Sequence, residues 1–181
     1  KWIMGETSKV LNEVQISFES YRFNDAANAL YAFIWGKVCD WYVELSKPLF
    51  SSSNKQVIAE TQETMGWVID QCLILLHPIM PFITEELWGS VGKRSNLLVH
   101  QNWPNYTTSD LIEPDADQEM NWVISLIENI RSARQQMHVP AGLKIPLIFQ
   151  EMSENAQETF ERNSIMIMKL ARISDVEKIN H

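Results

Sequence analysis

The sequence predicts a mainly α fold: an antiparallel helix bundle followed by a small C-terminal α/β appendage. Apolar residues recur every three or four positions through most of residues 2–137, as on the buried faces of amphipathic helices. Beyond that point, two short runs rich in strand-forming residues flank one helical segment. We therefore predict a helical bundle over residues 1–140 and an α/β subdomain, incomplete at its end, over residues 141–181.

The first two predicted helices are separated by a short break. An apolar stripe at helical spacing covers residues 2–20, and the Asn and Asp at 24–25 are good N-caps for a second helix. This second helix is predicted to end at Ser46 or Lys47, because Pro48 cannot continue it. Its inward stripe is thickened by three aromatic residues: Phe33, Trp35 and Tyr42.

Prolines delimit the next two predicted helices. A third helix covers about residues 55–76, and Pro78 stops it. A short proline-led helix follows over residues 81–88, with the acids at 85–86 predicted in its first turn. Residues 89–114 are predicted to be mostly loop.

The last third of the chain carries the predicted appendage. A long helix covers residues 115–137, and a short edge strand covers residues 144–150. Helical spacing returns over residues 151–171, with a predicted break near 163–164. A second strand is predicted over residues 173–179, so the order is strand, helix, strand.

Composition indicates a folded domain with an acidic surface. The 181 residues include 15 Lys plus Arg against 23 Asp plus Glu, which gives a formal charge of −8, and 45% are apolar. This apolar share excludes a disordered chain, and no apolar run reaches the roughly 20 residues of a membrane helix. The negative charge argues weakly against a nucleic-acid partner, but residues 129–150 contain three cations and no acid. Because the chain does not open with Met, we expect an excised fragment.

The residue types that carry catalysis do not form a recognisable pattern. There is no Gly-rich phosphate loop, and no His lies at metal-ligand spacing from another His or a Cys. His77 is predicted to cap carbonyls at a helix end. Cys39 and Cys72 are predicted to be buried reduced thiols, with a disulfide or a metal pair as the alternatives. We predict no catalytic residue and no metal site.

Seven Trp residues are a high number for this length, and several stand at predicted element ends. Such aromatics serve as core anchors, or they stack unpaired bases of single-stranded RNA. The residues at element ends are Trp2, Trp88 and Trp103.

Three blocks of sequence resemble the anticodon-binding domain of the valyl-tRNA synthetases. The Tyr-Arg-Phe-Asn-Asp-Ala-Ala block at 21–27 is followed by Cys-Asp-Trp-Tyr-Val-Glu-Leu-Ser-Lys-Pro at 39–48. The His-Pro to Glu-Glu-Leu-Trp block at 77–88 is similar to a signature shared by the valyl, isoleucyl and leucyl enzymes. Arg-Ser-Ala-Arg at 131–134 with Lys-Ile-Pro-Leu at 144–147 again resembles the valyl form.

The resemblance implies a role in binding tRNA without catalysis. The family's ATP site lies in an upstream domain marked by His-Ile-Gly-His and Lys-Met-Ser-Lys-Ser, and neither motif occurs in this chain. We expect no cofactor in this fragment, with ATP used by the full-length enzyme, a valine–tRNA ligase. The expected partners are the tRNA(Val) anticodon stem-loop and the rest of the synthetase chain. We expect a cytoplasmic monomer that does not contact a membrane.

The resemblance also suggests which residues meet anticodon bases. Residues matching Trp2 and Met65 contact anticodon bases in the family, and an antiparallel bundle would bring Thr64 and Met65 to the same end as Trp2. Trp2 offers a flat stacking surface and Met65 a polarizable one. The neighbouring Gly66 is also a candidate for base contact, although it departs from the acidic residue that the family pattern implies.

Cations are the predicted contacts for RNA phosphates. The alternative for those on the long helix is a salt-bridged face, since Glu128 lies three residues before Arg131. The phosphate candidates are Lys1, Arg22, Lys47, Arg131, Arg134 and Lys144.

Two alternative functions remain open from sequence. One is the anticodon domain of an isoleucyl-tRNA synthetase. The other is a helical module that docks protein through its Trp and Met stripes. Salt separates RNA binding from apolar docking, because phosphate contacts weaken steeply as salt rises.

Overall fold

Helices form most of the molecule, as predicted, and the computed structural model describes residues 1–178. The helices are α1 (Trp2–Glu19), α2 (Phe23–Tyr31), a π-helical segment (Ala32–Val43), α3 (Glu44–Ser46), α4 (Lys55–Leu76), α5 (Pro81–Val91), α6 (Thr108–Leu111), α7 (Pro114–Gln136) and α8 (Glu154–Ala171). The strands are β1 (Ile145–Phe149) and β2 (Ile173–Lys178), and two 3-10 turns cover Leu49–Ser51 and Leu98–His100.

The chain divides into two compact units, an N-terminal unit up to Glu113 and a C-terminal unit from Pro114 onward. This division differs from the predicted boundary at residue 140. The long helix α7 packs against α8, so it belongs with the strands rather than with the bundle.

The core of the N-terminal unit forms where α1 packs against α2, the π segment and α4. Most of the apolar stripe of α1 is buried as its spacing predicts, and the small hydroxyl residues Thr7, Ser8 and Ser17 are buried on the same helix. Fully or nearly fully buried members of this core are Ile3, Leu11, Val14, Leu30, Val68 and Leu75.

The second predicted helix is continuous to Ser46, but its middle is a π-helix. The wider i→i+5 turn changes which residues face the core. Phe33 is buried, whereas Trp35 is 59% exposed, which corrects the prediction that both thicken the inward stripe. The start also differs from the prediction: Phe23 begins the helix, and no side chain caps it.

Local signals set the ends of α4 and α5. Asn54 caps α4, its side-chain oxygen accepting from the Gln56 N–H at 2.9 Å, and Pro81 occupies the first turn of α5. The first turn of α5 holds no acid, contrary to the prediction. Glu85 instead lies one turn later, and its carboxylate accepts from the backbone N–H groups of Leu98 and Val99. The segment 89–114, which was predicted to be mostly loop, also contains a 3-10 turn and the short helix α6.

The C-terminal unit is a strand–helix–strand crossover backed by α7. Strands β1 and β2 pair in parallel, with Ile145 opposite Ile173, as the element order predicts. Helix α8 runs without a break, contrary to the prediction, because the Asn163 side chain donates to the Thr159 carbonyl at 2.9 Å and to Glu119 at 2.6 Å. The last residue of the second predicted strand, 179, lies outside the described residues.

Both cysteines are free thiols, but they differ in exposure. Cys72 is buried in α4, as predicted. Cys39 is exposed, which corrects the prediction of two buried thiols; the π turn places it on the outer face. In residues 1–178, no helix is long and apolar enough to cross a membrane.

Candidate nucleic-acid interface

Trp2, the predicted stacking residue, lies inside the N-terminal unit. Its side chain is 5% exposed, and its indole Nε1 is buried without a hydrogen-bond partner among residues 1–178. The Lys37 Nζ lies 5.9 Å from the ring centroid and 3.3 Å from a Glu6 carboxylate oxygen. A base stacks only on a ring face that it can reach. The structure therefore does not support stacking of a base directly on Trp2.

The α4 candidates are partly accessible. Thr64, Met65 and Gly66 are all half-buried. The Thr64 hydroxyl donates to the Glu60 carbonyl at 2.8 Å, so its lone pairs remain as acceptors for a base edge. No atom lies within 4 Å of the position that a Cβ on Gly66 would take, so packing does not require glycine there. These three consecutive residues lie in the middle of α4, where each is partly open to solvent.

The cations predicted to meet phosphates in the N-terminal unit each have an acidic partner. Lys1 Nζ lies 2.8 Å from Glu113, Arg22 pairs with Asp25, and Lys47 pairs with Glu44. The hydrogen bond from Lys1 lowers the pKa of the Glu113 carboxyl and raises that of the Lys1 amine. Exposed pairs of this kind contribute little to stability, so a phosphate can replace the carboxylate at little cost.

A groove between α1, α2 and the π segment has a volume of about 730 Å³. Its charged lining balances: three cations and three acids face it, so its field does not favour a polyanion. The groove therefore adds no phosphate site. The charged residues are Lys9, Arg22, Lys37, Glu6, Glu13 and Asp25.

The cations predicted in the C-terminal unit have different surroundings. Arg131 is exposed, and its guanidinium donates to the Leu170 carbonyl at 3.2 and 3.1 Å. Lys144 is exposed at the start of β1. Arg134 is only 7% exposed, so the structure corrects its assignment to phosphate. Its guanidinium is occupied by backbone carbonyls, namely those of Pro140, Leu143 and Arg172.

His77 does not cap the carbonyls of its helix with its ring, contrary to the prediction. Its Nδ1 lies 2.8 Å from the Thr84 hydroxyl, which links the end of α4 to α5. Within residues 1–178, no group of three or more His, Cys, Asp and Glu residues is placed to hold a metal ion.

Exposed aromatic side chains in the N-terminal unit were not predicted as binding residues. Tyr31 is 70% exposed and Trp35 is 59% exposed, four positions apart along one helix. At the corner between α1 and α2, Tyr21 is 82% exposed and its ring lies 6.4 Å from that of Phe23. Sequence spacing could not identify the first pair, because the π segment shifts the faces of the helix.

Comparisons with known proteins cover nearly the whole chain. A profile of the family described as "Anticodon-binding domain of tRNA ligase" matches residues 1–149. Relatives named valine–tRNA ligase include those of Ruegeria pomeroyi (60% identical over 98% of this chain), Cereibacter sphaeroides (57% over 96%) and Zymomonas mobilis (44% over 98%). The chain spans 18%, 17% and 20% of these three relatives, about a fifth of their length. Because the family profile matches most of the chain, the chain belongs to the anticodon-binding domains of tRNA ligases.

Proposed function

We propose that this domain recognises the anticodon loop of tRNA(Val) as part of a valine–tRNA ligase. The observation that carries the proposal is 60% identity along 98% of the chain to a relative named valine–tRNA ligase. The relatives compared above all carry the valine name, which favours valine over the isoleucine alternative. Binding energy gained at the anticodon would select the tRNA and orient it for chemistry in another domain.

In this proposal the domain binds tRNA and leaves catalysis to the rest of the ligase. The ATP-site motifs of the class are absent from the sequence, so ATP and valine would bind outside this domain. The domain would need no cofactor of its own and would work as one part of a monomeric cytoplasmic enzyme.

The half-buried surface of α4 is the proposed site for anticodon bases. The Thr64 hydroxyl would accept a hydrogen bond from a base edge, and Met65 would contact a base face. The absence of a side chain on Gly66 lets a base approach the helix backbone. Nearby phosphates would be met by exposed cations that exchange their carboxylate partners: Lys1, Arg22 and Lys47.

The test is a titration of the chain with a labelled valine anticodon stem-loop, followed by fluorescence anisotropy at low and high salt. Stem-loops with an altered second or third anticodon base are the RNA controls. We expect Met65→Ala to reduce the preference for the valine loop. Met80→Ala is the matched protein control, since Met80 is 42% exposed in the same unit and lies outside the proposed site.

Two results would contradict the proposal. Equal binding of all stem-loops would show that the domain contacts phosphates without reading bases. Failure to bind any stem-loop, together with salt-insensitive binding of another part of the ligase, would favour the protein-docking alternative.

A further inference from the structure

We propose that the C-terminal unit carries a second RNA contact surface, which binds backbone phosphates through Lys144, Lys169 and Arg172. It would bind the phosphodiester backbone without choosing among bases. The inference rests on the proposed function, because it takes tRNA as the ligand. We name these three residues the basic edge.

The fold brings the basic edge together from two distant segments. Arg172 is the residue between α8 and β2, and its carbonyl accepts from the Ile145 N–H at 3.2 Å. Lys144 precedes Ile145, which pairs with Ile173 across the parallel sheet. Paired strands lie about 4.8 Å apart, so Lys144 and Arg172 start neighbouring strands at the same end of the sheet. Lys169 is in the last turn of α8, three residues before Arg172.

Two arginines of α7 hold the backbone under the basic edge. Arg131 donates to the Leu170 carbonyl, between Lys169 and Arg172. The buried Arg134 donates to the Leu143 carbonyl at 2.6 Å and to the Arg172 carbonyl at 3.3 Å. The backbone beside each cation of the basic edge is therefore fixed before any ligand binds. Preorganisation of this kind lowers the entropic cost of binding.

The basic edge is a local exception in an acidic unit. From residue 114 to 181 there are seven Lys plus Arg and ten Asp plus Glu. The two segments that meet here, 129–150 and 162–174, contain no acid at all. All three side chains are exposed and make no ion pair within residues 1–178, in contrast to Arg162, which pairs with Glu119. Clustered cations without counter-charge attract a polyanion.

The backbone at Arg172 gives a second, independent observation. Its φ of 57° and ψ of 54° are left-handed, the conformation in which helices usually end with glycine. A side chain at this position carries a conformational cost that glycine avoids. Arg172 nevertheless occupies this position, with an exposed guanidinium at the start of β2, and Tyr21 and His138 share the same left-handed conformation elsewhere in the chain.

The experiment measures tRNA binding and unfolding together on the whole chain. Fluorescence anisotropy with a tRNA(Val) transcript, and with one of altered anticodon, is recorded at three salt concentrations. Lys169→Glu is compared with Lys93→Glu, which makes the same charge change at an exposed lysine of the other unit that has no ion pair among the described residues. Arg172→Gly removes the charge and relieves the left-handed backbone.

We expect Lys169→Glu to weaken binding about fivefold or more at low salt and to lower the slope of log Kd against log salt by about one. The loss should be equal for both transcripts, because phosphate contacts carry no base information. Lys93→Glu should change the affinity by less than about twofold, since Lys93 belongs to neither proposed contact surface and charges beyond a Debye length are screened. Arg172→Gly should weaken binding while its unfolding midpoint stays at or above that of the unchanged chain.

The outcomes separate this inference from the proposed function. If the unchanged chain prefers the valine anticodon but Lys169→Glu behaves like Lys93→Glu, the basic edge is overturned and anticodon recognition stands. If Lys169→Glu weakens the binding of both transcripts, but the unchanged chain prefers neither of them, the basic edge stands and the proposal of anticodon recognition fails. If Arg172→Gly lowers the unfolding midpoint without affecting binding, the Arg172 guanidinium stabilises the helix end and does not contact RNA. Arg172 is then not part of the basic edge.

Discussion

Arg94 lies over the indole of Trp88, with its guanidinium carbon 3.8 Å from the ring centroid. The same guanidinium forms two hydrogen bonds to the Asp70 carboxylate, one of them 3.0 Å long. Trp88 is 6% exposed, and its Nε1 donates to the Asn96 carbonyl at 3.1 Å. One arginine thus links α4, α5 and the loop that follows α5.

Arg94→Lys should destabilise the N-terminal unit by about 1–3 kcal/mol. Lysine keeps the charge but loses the two-pronged geometry and the planar contact with the indole. The free energy of unfolding is measured by urea titration, followed by the fluorescence of Trp88 and its neighbours. The adjacent Lys93→Ala should stay within about 0.5 kcal/mol of the unchanged chain. Equal effects of the two substitutions would show that the Arg94 pair behaves as an ordinary surface ion pair.

The two thiols should react very differently. Burial raises the pKa of the Cys72 thiol to about 12, whereas the Cys39 side chain is exposed. Because the thiolate is the reactive form, iodoacetamide at pH 8 should modify Cys39 and leave Cys72 intact. Peptide mapping by mass spectrometry identifies the modified residue. Cys39→Ser should abolish labelling of the native chain and leave one reactive thiol in urea; comparable labelling of Cys72 in the native chain would contradict its burial.

Much of the fold could be predicted from the sequence where local signals and apolar spacing agree. Pro81 marks the start of α5, and the strand–helix–strand order after residue 140 predicts the parallel strand pair. The prediction failed where tertiary contacts override local preference. Asn163 weakens a helix on its own, but its bond to Glu119 holds it inside α8.

The candidate site was harder to predict, because residue type does not determine exposure. Trp2 fits a stacking role by its chemistry, yet the bundle encloses it. Arg134 and Lys144 looked equivalent in sequence, but one binds carbonyls inside the unit and the other faces water. Nothing in the sequence identified Arg172 as a binding residue, since only the parallel register places it beside Lys144.

Acid should weaken the C-terminal unit through Glu119. Hydrogen bonds from Arg162, and then from Asn163, hold the pKa of this carboxyl below its ordinary value of 4.5. The folded state therefore favours the ionised carboxylate, and this stabilisation is present above pH 4.5 and lost as the pH falls through the folded-state pKa. Glu119→Gln should flatten the decline in unfolding midpoint below pH 5. The unfolding midpoint is measured by urea titrations at several pH values, monitored by circular dichroism.

Glu158→Gln is the matched control for that change. Glu158 lies 3.7 Å from the same Arg162, but 70% of its side chain is exposed. Removing the Glu158 charge should leave the dependence of the unfolding midpoint on pH nearly as in the unchanged chain, because exposed pairs are screened by water and salt. Identical pH profiles for Glu119→Gln and the unchanged chain would refute the assignment to Glu119.

Arg134→Leu should be among the most damaging substitutions in the C-terminal unit, with a loss of about 3 kcal/mol or more. Leucine fills part of the space but removes the guanidinium donor from the carbonyls of Pro140, Leu143 and Arg172, and among the described residues only those of Pro140 and Arg172 keep a backbone N–H donor, from Leu143 and Ile145. Hydrogen exchange is the direct measurement. The Ile145 amide bonds to the same Arg172 carbonyl, so it should exchange faster once the strand pair loses the buried guanidinium and opens more often.

Arg131→Leu is the control that separates the effect of the buried Arg134 hydrogen bonds from the effect of losing one positive charge on α7. Arg131 is exposed and donates to the Leu170 carbonyl, so its loss should cost about 1 kcal/mol and barely change exchange at Ile145, because an exposed hydrogen bond contributes less than a buried one. The two substitutions remove the same charge three residues apart on α7. If both changed the exchange rate equally, net charge and not the buried hydrogen bonds would control the stability of the strand pair. A larger effect of Arg134→Leu would show that the buried arginine fixes the loop that presents Lys144.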